Sequence, residues 1–148
     1  MPRIIVLDAN VLMRAVLGRR VSELLVAFAP RVTFLAPDVA FDDVREHLAA
    51  VLAKRGQRDA LQPALEKLAL LRGAVQLIDR TEYETMATAA QARIGQRDAD
   101  DWPVLACALL LNCPVWTEDR DFFGTGVATW TTALVELYFR EPDIEPDM

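Results

Sequence analysis

The sequence predicts an α/β domain with a short, mostly parallel central sheet and helices on both faces. The chain opens with the apolar run Ile4–Leu7, and such a run bounded by polar residues is typical of a strand buried on both faces. Further short β-branched runs alternate with stretches of helical periodicity, the pattern of parallel strands joined by helices. Neither a repeat nor a linker divides the 148 residues.

In the first half of the chain, residues 3–8 are predicted to form a strand. Helical spacing from Asn10 predicts a helix that ends at Gly18, because glycine commonly follows a helix C-terminus. The later elements of this half are a helix over 21–29, a strand over 32–35 and a helix over 38–54, which begins after Pro37 and is ended by Gly56.

In the second half, the same patterns predict two more helices before residue 95 and two after it, the first of which is strongly apolar. The predicted helices cover residues 61–71, 81–93, 99–111 and 132–139. Short β-branched segments between them predict strands over 75–78, 115–116 and 127–130.

Composition bounds the class of protein. We expect one domain over residues 1–140 and a flexible acidic tail over residues 141–148. The net charge of −6 argues against a broad basic surface for nucleic acid, although not against one local site. Cys107 and Cys113 do not suggest a disulfide framework, and we find neither a signal peptide nor a membrane-spanning run, so a cytoplasmic location is expected.

Acidic residues stand where predicted elements meet, and each group also has an ordinary structural explanation. Asp8 ends the first strand. Other acidic residues lie in the helix after Pro37, at the start of the apolar helix, and in the turn after the strand predicted over 115–116. These further acids are Asp42, Asp43 and Glu46; Asp98, Asp100 and Asp101; Asp119 and Asp121. Singly they could cap a helix, occupy a turn or face solvent.

Together the acids predict a divalent metal site. Carboxyl ends of parallel strands share one edge of a sheet, where ligands of α/β proteins bind. Carboxylates brought together there repel each other unless a cation lies between them. Oxygen-only ligands select Mg²⁺ or Mn²⁺, whereas the lone His47 and two cysteines offer no zinc site.

Three segments resemble the PIN-domain ribonucleases, of the kind found as VapC toxins. They are DAN at 8–10, DDWPVLACALLL from 100 and VWTEDRDFF from 115. The resemblance implies catalytic, metal-binding roles for Asp8, Asp43, Asp101 and Asp119, with Glu46 as the alternative to Asp43. It implies supporting or additional roles for Asn10, Glu46, Asp98, Thr117 and Asp121.

The activity implied is hydrolysis of single-stranded RNA with one or two Mg²⁺ or Mn²⁺ ions. A VapC-type toxin further implies a small antitoxin partner and a homodimer. A catalytically degenerate PIN domain that binds RNA or protein is the alternative. Asn10 argues against a haloacid-dehalogenase-type phosphatase, which needs a second aspartate at that position. The sequence also lacks the acidic pair and the lysine of a receiver domain, and the glycine-rich phosphate loop of a Rossmann or P-loop protein.

Basic and aromatic side chains offer substrate contacts beside the acids. Guanidinium groups pair with phosphates, and the candidates are Arg14, Arg45, Arg93 and Arg97. A plain surface charge is the more common role of each. Trp102 and Trp116 could stack on bases, although packing in a core or dimer interface is the more common role of tryptophan.

Overall fold

Five strands form one sheet in the order β3-β2-β1-β4-β5, and every neighbouring pair is parallel. The strands of the computed structural model, which describes residues 3–95 and 100–141, are β1 (Arg3–Leu7), β2 (Val32–Pro37), β3 (Val75–Ile78), β4 (Val115–Trp116) and β5 (Thr129–Trp130). Within these ranges the α/β class and the parallel sheet are confirmed. The proposed tail from residue 142 onward lies outside the described residues, as does Asp98.

The helices connect the strands and cover the sheet. They are α1 (Ala9–Leu17), α2 (Arg20–Phe28), α3 (Asp38–Lys54), α4 (Leu61–Leu71), α5 (Arg80–Tyr83), α6 (Ala87–Ile94), α7 (Trp102–Leu111) and α8 (Val135–Arg140). Short 3-10 turns occupy Arg58–Ala60, Glu84–Met86 and Arg120–Phe122.

Two hydrophobic clusters flank the sheet. Because successive strand residues point to opposite faces, Ile5 and Leu7 join one cluster and Val6 joins the other. The first cluster holds apolar residues of α1, α2, α3, α4 and α8, and the second holds those of α6 and α7. Helices therefore cover both faces, as the continuous apolar run of β1 predicts.

Several predicted boundaries are wrong: the helix predicted from 99 begins at Trp102, and the strand predicted to end at 35 continues to Pro37. Three others differ for a local reason. The helix predicted over 81–93 is divided at Glu84–Met86, where the Thr85 hydroxyl donates to the Glu82 carbonyl oxygen at 3.2 Å and competes with helical bonding. The last helix begins at Val135 instead of 132, because the Thr132 N–H donates to the Glu118 carboxylate at 2.7 Å. The strand predicted from 127 begins only at Thr129, where pairing with β4 starts.

Both cysteines are buried and free, so no disulfide joins them. Burial raises the pKa of the Cys113 thiol to about 12 and that of Cys107 still further above its ordinary value. Among the described residues, no helix combines the length and apolarity needed to cross a bilayer.

Candidate metal centre

Asp8 directly follows β1 and is 6% exposed. Its Oδ1 accepts the Ala9 backbone N–H at 2.8 Å, so the carboxylate caps the start of α1. Its Oδ2 accepts the Asn10 side-chain amide at 3.0 Å and the Thr117 hydroxyl at 2.8 Å. Three donors therefore hold this buried carboxylate in one orientation.

Asn10 and Thr117 tie the first strand to the turn after β4. The Asn10 amide also lies 3.3 Å from the Thr117 hydroxyl oxygen, and its Oδ1 accepts the Glu118 N–H at 3.2 Å. The Thr117 hydroxyl in turn accepts the Asp119 N–H at 2.9 Å. The chain from Thr117 to Asp119 is thus positioned by the same side chains that hold Asp8.

The pKa of Asp8 is raised above its ordinary value. Burial is the main cause, and the negative charges of Asp119 and Asp43 add to it, while hydrogen bonds from Thr117 and Ala9 act in the opposite direction. Asp119 and Asp43 therefore lie close enough to act on Asp8 electrostatically. A cation between these carboxylates would relieve their repulsion.

A second observation brings Asp101 and Asp121 to Asp119. The three residues each offer a carboxylate oxygen, and these oxygens lie within 4.8 Å of one another. Asp101 precedes α7 without capping it through its side chain, and its Oδ2 is buried. Asp119 Oδ1 accepts the Asp121 N–H at 2.9 Å, which fixes the turn that carries both acids.

The helix α3 presents Asp43 to the same region. Asp43 and Asn10 line a cavity of about 260 Å³ between α3 and α1, together with His47 and apolar neighbours. Asp43, Glu46 and His47 also offer ligand atoms within 4.8 Å of one another, and all three are exposed. Since Asp43 acts on Asp8 and lines the cavity, it remains the predicted second helix ligand, with Glu46 one turn further along.

The sequence patterns missed two groups near this edge of the sheet. Asp38 directly follows β2, just as Asp8 follows β1, and its Oδ1 accepts the Tyr83 hydroxyl at 2.7 Å. The position after a strand was the available signal, although this carboxylate is engaged in joining α3 to α5. Glu118 was missed because its contribution is a backbone N–H, which no side-chain pattern reveals.

The tryptophans and arginines predicted to contact substrate have different surroundings in the fold. Trp116 is fully buried in the core, while Trp102 is partly buried and packs edge-on against Tyr83 at 5.7 Å between ring centroids. Arg45 pairs with Asp42 at 3.3 Å, and Arg93 donates to the Thr125 carbonyl oxygen at 3.0 Å. Arg14 lines a separate cavity at the junction of α1 and α2, and Arg97 lies outside the described residues.

Comparison with known families identifies the domain. The model of the PIN domain matches residues 6–140, which is nearly the whole chain. The chain belongs to the PIN-domain family. The match begins within β1 and ends with α8, so it includes all of the candidate acids.

Solved structures agree with a PIN fold. VapBC2 from Rickettsia felis, determined with a DNA fragment of its promoter, is similar with a TM-score of 0.66 and 13% identity, over 86% of this chain and 98% of that one. A toxin–antitoxin complex from Klebsiella pneumoniae gives 0.56 and 19%, over 86% and 96%. FitAcB from Neisseria gonorrhoeae gives 0.57 and 24%, over 87% and 98%. No curated protein sequence matches the chain.

The donor atoms of this PIN domain fit a hard divalent cation. Asp101, Asp119 and Asp121 supply only carboxylate oxygens, within a distance of one another that an ion can bridge. Asp8 adds a carboxylate whose protonation burial favours and which a cation would keep ionised. The acidic edge of the sheet can therefore bind a metal ion.

Proposed function

We propose that this PIN domain is a Mg²⁺- or Mn²⁺-dependent endoribonuclease that hydrolyses single-stranded RNA. The observation that carries the proposal is the convergence of Asp8, Asp119 and Asp101 at the carboxyl edge of the sheet. Asp43 approaches the same edge from α3. We assign Asp8, Asp43, Asp101 and Asp119 as the metal-binding catalytic set, with Asp121, Glu46 and Asp98 as additional candidates.

Bound divalent ions supply an activated water and stabilise the negative charge that develops on the phosphate. The chain itself holds the carboxylates that would bind them. Asn10 and Thr117 orient Asp8 and the turn to Asp119, so that ligands from two strands keep a fixed spacing. The Thr117 hydroxyl donates a hydrogen bond to the Asp8 carboxylate, and this bond favours the ionised form that a metal ion needs.

Cleavage assays test this function directly. Purified protein is incubated with end-labelled single-stranded RNA, and with DNA of the same sequence, in Mn²⁺, in Mg²⁺ and in EDTA. We expect metal-dependent cleavage of the RNA by the wild type, and loss of at least about 100-fold in rate in Asp8→Asn and Asp119→Asn, because ligand loss removes the metal chemistry. The exposed Asp59→Asn serves as the matched control.

Two outcomes would contradict the proposal in different ways. Cleavage that persists equally in both Asn variants would show that the acids are not the catalytic centre. RNA binding without cleavage in either metal would support the degenerate, binding-only alternative.

A protein partner is the second part of the proposal. The similar structures from Rickettsia felis and Klebsiella pneumoniae are VapBC2 and a toxin–antitoxin complex, which supports an antitoxin partner for this chain. Exposed large apolar side chains offer contact surface for that partner or for a second copy: Val26, Leu70, Leu134 and Leu137. Light scattering of the purified chain tests the homodimer, and co-expression with the product of a neighbouring short gene tests the antitoxin.

A further inference from the structure

Basic side chains converge on one cavity that none of the candidate metal ligands lines. Of the 16 lysines and arginines in a chain of net charge −6, four arginines line a cavity of about 240 Å³ at the junction of α1 and α2. They are Arg14, Arg19, Arg20 and Arg55. Lys67 is close by, since its Nζ donates to the carbonyl oxygen of Gly18 in the cavity wall at 3.4 Å.

Three of these four arginines form no ion pair with any of the residues that the structure describes. Arg20 pairs with Glu136 at 3.5 Å, and Glu136 also pairs with Arg140. Within residues 3–95 and 100–141, no acidic side chain forms an ion pair with Arg14, Arg19 or Arg55. Guanidinium groups held together repel one another, so an anion between them would be stabilising.

The cavity wall supplies neutral donors as well. The first turn of α2 borders the cavity through Arg20 and Val21, and the side chain of the N-cap residue Arg19 makes no capping hydrogen bond to this nine-residue helix. The N–H groups of this first turn and the helix dipole favour an anion there. Thr132, 7% exposed, also lines the cavity, and its hydroxyl accepts the Trp116 indole N–H at 3.0 Å, which leaves the hydroxyl proton available for a ligand.

One residue of the cavity wall, Thr132, is connected to the acidic edge by hydrogen bonds. Thr132 follows β5 and its N–H donates to Glu118, while the Glu118 N–H donates to Asn10. Arg14 stands four residues after Asn10 on α1, or about 6 Å along the helix axis. Since Arg14 has a long side chain, one extended strand of nucleic acid could reach both places.

We propose that this arginine cavity binds a backbone phosphate of the RNA strand, a few nucleotides from the phosphate that is cleaved. Its chemistry matches a phosphodiester group, because planar guanidinium groups form paired hydrogen bonds with phosphate oxygens. The volume exceeds that of a single water, which takes about 30 Å³, several times over. The inference rests on the proposed ribonuclease function and names where that substrate is held.

Binding in EDTA tests the cavity apart from cleavage. The affinity of a labelled single-stranded oligoribonucleotide is measured by fluorescence anisotropy at several salt concentrations, for the wild type and for the triple variant Arg14→Gln, Arg19→Gln, Arg55→Gln. We expect affinity to fall about tenfold or more, and the slope of log affinity against log salt to shrink by about 0.7 for each phosphate that the variant no longer neutralises. Arg31→Gln is the matched control, because exposed Arg31 precedes β2 at the opposite edge of the sheet.

Substrate length provides a second readout. A dinucleotide contains only the scissile phosphate, so the triple variant should slow its cleavage in Mn²⁺ far less than it slows the cleavage of longer RNA. Longer RNA should be cleaved more slowly by the variant, through a raised KM. The single variants Arg14→Gln and Arg55→Gln give the same test at smaller amplitude if the triple variant does not fold.

The possible failures are distinguishable. If the wild type cleaves RNA and the triple variant matches Arg31→Gln in affinity and salt slope, the proposed phosphate-binding role of the cavity is wrong and the proposed ribonuclease function is retained. If RNA binding depends on the cavity but no RNA is cut in Mn²⁺, the proposed ribonuclease function is wrong and the phosphate-binding role of the cavity is supported. If the variant loses only its affinity for a polyglutamate peptide, the cavity serves an acidic protein segment and the proposal is wrong.

Discussion

The Thr117 hydroxyl group joins the two strand ends on which the candidate metal centre depends. It donates to Asp8 at 2.8 Å and accepts the Asp119 N–H at 2.9 Å, and Thr117 is buried. A donor to a buried charged group contributes more than an ordinary hydrogen bond, because its loss leaves the charge poorly solvated. This residue therefore links the stability of the fold to the geometry of the site.

Replacing Thr117 by valine keeps the shape and removes the hydroxyl. We expect Thr117→Val to lower the free energy of unfolding by about 1–3 kcal/mol, because the Asp8 carboxylate loses a donor and the Asp119 N–H loses its acceptor. Thr117→Ser retains the hydroxyl and should recover most of the loss. Urea denaturation at neutral pH measures both, and equal stability of the valine and serine variants would contradict the assignment.

Asp8 predicts a specific pH dependence in metal-free protein. Its folded-state pKa is raised above 3.8, so its stabilising contribution is fully present below pH 3.8 and is lost as pH rises through the folded-state value. Relative to the wild type, Asp8→Asn should therefore gain stability as pH rises, because the amide carries no buried charge. Denaturation in EDTA over a pH series measures the difference between the two proteins, and a difference that stays flat or favours the wild type at high pH would contradict it.

At the scale of single residues, the sequence predicted the acids and, through the family resemblance, Asn10 and Thr117, but not the backbone groups that hydrogen-bond to them. Asp8, Asp101 and Asp119 were predictable because each adjoins the end of a clearly patterned strand or helix. The backbone donors at Ala9 and Glu118 were not, since every residue except proline carries an N–H and only the fold determines its acceptor. Asp38 shares the strand-end position of Asp8 but engages Tyr83, which only the packing of α5 decides.

Between elements, the Asp38–Tyr83 hydrogen bond connects α3 with α5. Tyr83 is fully buried, packs edge-on against Trp102 beside Asp101, and donates to Asp38 at 2.7 Å. Burial and the Asp38 carboxylate together raise the pKa of Tyr83 well above its ordinary value. The start of α7, where Asp101 lies, is thus supported from β2 and β3.

Removing this hydroxyl tests the connection. Tyr83→Phe should lower the free energy of unfolding by about 1.5–3 kcal/mol, because the acceptor is charged. Thr125→Val is the control, since this buried hydroxyl donates to the neutral Phe122 carbonyl oxygen at 2.7 Å and its loss should cost about 1 kcal/mol. Thermal or urea denaturation measures the loss in both variants, and a larger loss in Thr125→Val would be the contrary result.

Element boundaries were predictable where the signal is local. Gly18 ends α1 as expected, and the strands over 75–78 and 115–116 stand as predicted, because periodicity and caps depend on neighbours in sequence. The division of the helix predicted over 81–93, and the late start of α8, depend on hydrogen bonds that a periodicity pattern does not contain.

For the whole molecule, metal binding should appear as thermal stability. A ligand that binds only the folded state at 100 times its dissociation constant adds about 2.7 kcal/mol, which for a domain of this size raises Tm by about 5–10 °C. Saturating Mn²⁺ should produce such a shift in the wild type and little or none in Asp101→Asn or Asp119→Asn. Scanning calorimetry in Mn²⁺ and in EDTA measures it, with Asp59→Asn as the control that keeps the shift.

The same measurement separates the two candidate ligands on α3. Asp43→Asn should reduce the Mn²⁺-induced shift, because Asp43 is the helix residue whose charge acts on Asp8. Glu46→Gln should retain it. The reverse result would assign the position to Glu46 and remove Asp43 from the metal-binding set.

The strand order has a consequence for when this site can exist at all. β1 lies between β2 and β4, and the contact of Asp8 with Thr117 spans 109 residues of chain. During synthesis, the first carboxylate is therefore made long before the turn that orients it, and the two meet only after most of the chain is available. Any activity that depends on this edge is consequently withheld from the growing polypeptide until residues 8 and 117 have both been synthesised and have met in the sheet.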